Sequence, residues 1–445
     1  MFIIRRAKVD DADTLLKLAR MVHFINLPPD KEIIVQKIIH SRNSFLRVAN
    51  ARARPEPEPV PKIVAGLNGV KSASPDTVAM KGLGSASAEV PLFLFVMEET
   101  ESAGVIGTSQ VLAQMGGEEN PNVSFKLEKR EFFSSTLQTG TSQMVARMHL
   151  DGSGPSEIGG LIIQPSYRGH KMRLGRFLSF VRFHFMGMHR KLFADRVLAE
   201  MMAPITSDGD NLLWDYLGRR FVPLSYDEAD RFCQYSREFI TSLLPKEDIY
   251  LSLLPPAARA VVGEVGPETR PARRMLEKLG FGYRGFVDPF DGGPHLDAQT
   301  DEISLVKQTS RFTLGEPVAA DACDRVGLMS GMQSDGDFFS ACDGFTIGRG
   351  GKLRTTRPVM DALHMSPGAL MGVTPTDGLG APPRVRSGAS AKKPKPKTSS
   401  GSKTRSTSSE AGSPRSKTAK KAARATASKA GVKTSKASAR RRASA

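Results

Sequence analysis

Apolar positions along this chain change period repeatedly, and the order of those changes predicts its elements. Residues 2–7 form a short apolar run of strand character. Asp10, Asp11 and Asp13 then place acids at a helix start, and Leu15, Leu16, Leu18, Ala19 and Val22 supply its apolar face. A second helix is predicted over 31–40. Residues 91–97 and 104–112 read as strands joined by an acidic turn over 98–102, and 123–127 with 143–150 as a further pair. Ile158 to Ile163, closed by Pro165, predicts a buried strand. Leu174, Phe177, Leu178, Val181, Phe185 and Met188 recur at helical spacing, with Arg176 and Arg182 placed on the other face. A strand over 197–201, a helix over 211–217 and short strand-like pieces from 311 to about 373 complete the order.

Strand and helix signals in this order predict an α/β (α+β) chain with a mixed sheet flanked by helices. The expected division is 1–225, 226–310 as a second lobe, 311–375 as a small β-rich appendage, and 376–445 as a disordered tail. Residues 52–90, with Pro-Glu-Pro-Glu-Pro followed by Gly, Ser and Ala, read as a flexible insertion.

Charge changes the picture. The net charge is +17, but residues 384–445 hold 19 Lys plus Arg against one acid, Glu410. The remainder carries 44 basic and 45 acidic residues, so the basicity is almost all tail. A tail of Lys, Arg, Ala, Ser and Thr cannot bury a core, and it predicts salt-dependent, sequence-blind affinity for nucleic acid. Cys233, Cys323 and Cys342 lie far apart, which argues against a zinc site or disulfide framework and for a reducing cytoplasm. His184 and His189 are five apart, on different helix faces. No metal is expected. No apolar run is long enough to span a membrane, and no signal peptide is evident.

The stretch from Ile158 onward carries the candidate chemistry. Gly159-Gly160 inside a strand marks a bulge or a close backbone approach. Arg168, Gly169, Lys171 and Arg173 then lead into a helix, whose unpaired first N–H groups and dipole favour an anion. Two readings fit: an ordinary βα unit with a basic turn, or the splayed strand and pyrophosphate loop of GNAT acyltransferases, which this stretch resembles. Two helices end alike, in Leu217-Gly218 with Phe221 following and in Leu279-Gly280-Phe281, and both glycines read as left-handed caps. Asp288-Pro289-Phe290-Asp291-Gly292-Gly293-Pro294 reads either as a tight hairpin turn or as a loop that brings Asp291 and Gly292 to a substrate.

With these residues in hand, 213–221, 271–281 and 290–294 together resemble the arginine N-succinyltransferases over roughly residues 1–375. The resemblance implies a GNAT-like fold and transfer of a succinyl group from succinyl-CoA to the α-amine of arginine. It also implies acyl-CoA contact at Leu161 and Ile162, and a phosphate loop at Arg168, Gly169, Lys171, Arg173 and Gly175, about two residues longer than usual. The family's proton donor is a histidine before a proline; here that position holds Gly266, before Pro267. Trp214 and Leu276 occupy the places where a GNAT tyrosine could protonate the thiolate. Glu264, Glu268 and Tyr283 lie near the vacant position in sequence, and Glu264 is the substitute candidate.

The reading is an acyl-CoA-dependent N-acyltransferase, cytoplasmic and nucleoid-associated if the tail engages DNA. The alternative is a catalytically weakened member that binds acyl-CoA or an amino acid and senses it. Acylation of a protein amine beside DNA is a third outcome, and oligomeric state is left open.

Overall fold

The computed structural model describes residues 1–21, 27–49, 90–206, 209–233 and 236–377. The expected insertion over 52–90, except residue 90, and the expected tail over 376–445, except 376 and 377, lie outside the described residues, and the nucleic-acid expectation with them.

The first half of the chain builds the layers around the candidate site. Strand β1 (Phe2–Arg6) leads into α1 (Ala12–Ala19) and α2 (Lys31–Val48). The Asp30 carboxylate caps α2 by accepting from the Glu32 and Ile33 N–H groups. Strands β2 (Leu92–Glu99) and β3 (Gly104–Leu112) pair antiparallel. Strands β4 (Asn122–Ser134) and β5 (Thr139–Asp151) form a long hairpin. Then come β6 (Ser156–Ile163), α3 (Leu174–Met188) and β7 (Arg196–Glu200).

Short helices follow: α4 (Leu212–Tyr216), α5 (Tyr226–Cys233) and α6 (Glu238–Leu243), then β8 (Ile249–Tyr250), α7 (Pro256–Val261) and α8 (Arg270–Leu279). Strands β9 (Gly282–Val287) and β10 (Pro294–Gln299) flank the Asp288–Gly293 turn, and α9 (Ser304–Gln308) follows. The chain continues through β11 (Ser310–Thr313), β12 (Arg325–Met332), β13 (Phe338–Ile347), β14 (Leu353–Thr355), α10 (Arg357–Ala362) and β15 (Leu370–Pro375).

All fifteen described strands share one mixed sheet, in the order β11-β15-β12-β13-β1-β2-β3-β6-β7-β10-β9-β4-β5-β8, with β14 beside β13. The C-terminal strands reach the first strand directly, Ile3 opposite Ala341 and Ile4 opposite Ser340. They also share its core. Phe45 of α2, Phe93 and Phe95 of β2, Phe185 of α3 and Phe338 of β13 are buried against one another, with centroids 4.5–5.9 Å apart. A second core gathers Phe125, Leu213, Trp214, Phe239, Ile240, Val261 and Phe290.

Helix α3 departs from the amphipathic reading. The sheet covers one side, α9 with the C-terminal strands covers part of the other, and Arg182 is buried toward β6 rather than on a solvent face. Its guanidinium donates to the Ser179 carbonyl and hydroxyl (3.1 and 2.6 Å) and to the Gly159 carbonyl (3.4 Å). Burial pushes it down to about 9. The two glycine caps also differ. Gly280 is left-handed at φ 109°, as expected, whereas Gly218 is not among the positive-φ residues. A Cβ on Gly218 would stand 2.2 Å from the Trp214 ring, so the close indole is what requires glycine there.

Candidate acyl-CoA and acceptor site

Strand β6 is held on one side by β3, with Thr108 opposite Ile162 and Gln110 opposite Gly159. The register shift between those pairs places Gly160 and Leu161 together against Ser109, which is a bulge. Gly160 permits it by taking φ +58°. On its other side β6 runs parallel to β7, yet the two pair only at Ser156 with Val197 and Glu157 with Leu198. Beyond those pairs the ladder stops, and residues 159–163 leave β7 as one arm of a V. Ser109 Oγ donates to the Leu178 carbonyl at 2.9 Å, docking α3 behind the bulge.

The basic loop lies at the end of that arm. Gly169 takes φ +72° and Arg173, at the N-cap of α3, takes φ +54°. Arg168, Lys171 and Arg173 are exposed. A Cβ on Gly169 would meet nothing within 4 Å, and one on Gly175 only Ile163 Cγ2 at 4.0 Å, so packing within the protein requires neither glycine. Burial, and then the nearby Arg173 guanidinium, hold Arg176 below its ordinary value. Arg168 also pairs with Glu268 at 2.6 Å, tying the loop to the segment before α8.

The second arm of the V leads into a buried polar cleft. Glu200 closes β7, and the cleft is lined by Asn122, Glu200, Cys233, Arg237, Asp288 and Phe290, among others. Glu157 from β6 is buried beside it, and its Oε1 has no hydrogen-bond partner. Burial, and then the Asp288 carboxylate, push Asp230 up to about 7. Glu200 rises above the carboxylate range, chiefly by burial, with Glu157 and Asp288 adding to it. Burial brings Lys37 down to about 8 and drives the Cys233 thiol upward. Burial also raises Asp291, to about 8, so protons held by Glu200, Asp230 and Asp291 offset part of the negative charge set against Lys37, Arg237 and His295.

Of the sequence candidates, the structure gathers Leu161, Ile162, Arg168, Gly169, Lys171, Arg173 and Gly175 along one strand–loop–helix edge. Asp291 is turned inward. Its carboxylate accepts from the Ala203 N–H (2.8 Å) and the Gly293 N–H (2.6 Å), so it fastens the turn onto the segment after β7. Gly292, buried at φ +79°, closes that turn. It is Asp288, three residues earlier, that faces the cleft. Glu264 is exposed and is not part of the cleft lining. Gly266 is buried, donates its N–H to the Met202 carbonyl at 3.1 Å, and brings no side chain. Asn122, Glu157, Glu200, Arg237, Asp288 and His295 escaped the sequence reading, since no spacing joins positions from 122 to 295.

A bulged strand parting from a parallel neighbour, then a basic loop and a helix N-terminus, defines a GNAT-like α/β fold. The fold matches that of arginine/ornithine succinyltransferase subunit AI from Pseudomonas aeruginosa, with a TM-score of 0.65 at 23% identity over 85% of this chain and 99% of that one. A profile described as AstA, arginine N-succinyltransferase beta subunit, matches residues 74–305. An arginine N-succinyltransferase of Yersinia enterocolitica is 37% identical over 220 residues, which is 49% of this chain and 63% of that protein. One of Photorhabdus laumondii is 33% identical over 282 residues, covering 62% and 80%. The chain belongs to the arginine N-succinyltransferase family. Its match spans just under two thirds of the length of the Yersinia relatives.

Proposed function

We propose that this chain is an acyl-CoA-dependent N-acyltransferase that moves a succinyl group from succinyl-CoA to the α-amine of arginine. The observation that carries the reading is the V between β6 and β7, open beyond Glu157 and ending in the basic loop. Pantetheine runs along the free edge of residues 159–163. The pyrophosphate lies over Gly169 and Gly175, among Arg168, Lys171 and Arg173, at the start of α3. N–H groups of the bulge at Gly160 and Leu161 polarise the thioester carbonyl, a contribution on the order of 3 kcal/mol per donor. The acceptor's α-amine approaches at the mouth of the cleft beside Glu200, where Arg237 offers a partner for its carboxylate.

The amine must first lose a proton, since an α-ammonium is mostly protonated at neutral pH. Glu200, raised above the carboxylate range, takes it. The amine nitrogen then bonds to the thioester carbon, the C–S bond breaks, and the proton that the acylated nitrogen sheds reaches the departing coenzyme A thiolate through water. With glycine at 266 no side chain there supplies that proton, so turnover falls short of a histidine-bearing relative by a general acid's ~10²–10⁴-fold. The test is coenzyme A release with succinyl-CoA or acetyl-CoA against a panel of amines including arginine. Release with succinyl-CoA and arginine supports the proposal, and silence across every pair ends it.

A further inference from the structure

Acyl transfer uses Glu200, but not the two side chains gathered against it, His295 and Asp288. His295 on β10 stands opposite Glu200 on β7 in the antiparallel register, and the Asp288 turn brings a second carboxylate to the same point. His295 is buried, 5% exposed, and its Nε2 has no hydrogen-bond partner. That nitrogen lies 3.7 Å from Glu200 Oε1 and 4.0 Å from Asp288 Oδ2, too far to bond either. A buried imidazole nitrogen held near two carboxylates but hydrogen-bonded to neither leaves a gap among three donor atoms.

We propose that Glu200, Asp288 and His295 bind a divalent cation of the zinc and cobalt class. The three ligand atoms lie within 4.8 Å of one another. Bonds of ~2.1 Å to nitrogen and oxygen put neighbouring tetrahedral ligands ~3.4 Å apart, so the atoms need only a modest contraction. One imidazole and two carboxylates are a donor set that zinc and cobalt accept. The surroundings hold the ligands in place. Asp288 Oδ1 accepts from the Phe290 and Asp291 N–H groups (2.7 and 3.0 Å), which leaves Oδ2 for the ion. Asn122 Nδ2 reaches Glu200 Oε1 at 3.5 Å, and Arg237 in turn donates to Asn122 Oδ1 at 3.1 Å. Three protein ligands leave a coordination position open toward the cleft. If the acyl-transfer reading holds, an ion there takes Glu200 from the acceptor, making the site a control on occupancy; binding itself does not depend on that reading.

The test uses the full chain freed of metal by chelation and titrated with Co²⁺, followed by visible absorption, and with Zn²⁺, followed by calorimetry, in the absence of acyl-CoA and amine. The proposal expects one equivalent bound at micromolar or tighter affinity, with cobalt d–d bands. His295→Gln and Glu200→Gln should each weaken binding at least ~10-fold, the low end for a ligand-shell change, while circular dichroism shows both variants folded. Absence of cobalt bands, or binding undiminished in folded His295→Gln, overturns it. Should His295→Gln fail to fold, Glu200→Gln alone decides by the same criterion.

Discussion

At the scale of single residues, two glycines that look alike in sequence are held by different forces, and substitution separates them. Gly218→Ala drives a methyl into the Trp214 ring and should cost ~1–3 kcal/mol, as overpacking does. Trimming the indole in Trp214→Leu should relieve that added penalty. Gly280→Ala meets only the Glu302 carbonyl at an ordinary 3.7 Å but must hold a left-handed backbone, at ~1–2 kcal/mol, and no neighbour's truncation relieves it. Urea unfolding of the two double-mutant cycles checks this; equal coupling to residue 214 would contradict it. Gly266 gives a functional prediction. A Cβ there meets the Ala203 carbonyl at 3.2 Å, which a small backbone shift accommodates. Gly266→His should therefore raise kcat for coenzyme A release by ~10-fold or more without changing acyl-CoA affinity, measured by steady-state kinetics. An unchanged kcat in a folded variant would remove the missing acid from the account. The glycine pattern was readable in the sequence; which force each glycine answers to was not, because a ring from the preceding turn leaves no mark on its spacing.

Among elements, α3 shows what periodicity conveys and what it omits. Its apolar stripe was legible, and so was its position after a basic loop. Its second contact was not: α9 and the C-terminal strands come from more than a hundred residues later, and the C-terminal strands close over His184. His184 sits between Thr374 Oγ1 at 2.5 Å and Ser330 Oγ at 2.6 Å, and burial drives it down to about 3. His189 is brought down to about 4, chiefly by burial, then by Arg311. An unfolded histidine titrates near 6.5, so between that value and these the unfolded chain binds more protons. Stability from both side chains is complete above about pH 6.5 and is lost as pH falls, at on the order of 1 kcal/mol per pH unit for each. His184→Asn should flatten the acid limb of a plot of Tm against pH; a limb of unchanged slope would contradict this. The β4–β5 hairpin was legible only at its base. Its strands run to 134 and from 139, but outside the core their residues are mostly exposed on both faces and carry no alternation to read.

In the whole molecule, the sheet brings together what the sequence kept apart. The strand–loop–helix edge was visible because its residues are contiguous. The cleft was not, because β7, the turn after β9, β10 and α5 meet only once the sheet is paired. That assembly also makes stability depend on pH. Glu200 sits above the carboxylate range, and His295 above the ordinary imidazole value because the Asp288 and Glu200 carboxylates outweigh its burial. Both mean that the folded protein holds protons the unfolded chain has released, so stability falls as pH rises through those values. Glu200, raised by burial to about 7, loses its contribution between about pH 4.5 and 7, so Glu200→Gln should steepen the rise of Tm with pH across that window, as scanning calorimetry would show; an unaltered slope there would contradict it. The central claim is that the arm of β6 and the basic loop grip a coenzyme A nucleotide. The most direct measurement is calorimetric titration of the purified chain with coenzyme A, beside a Lys171→Ala, Arg173→Ala double variant. The account predicts one site per chain at micromolar affinity, weakened ~10-fold or more when the two cations are removed, about 1.4 kcal/mol. No heat at saturating coenzyme A, or affinity unchanged in the double variant, would contradict it.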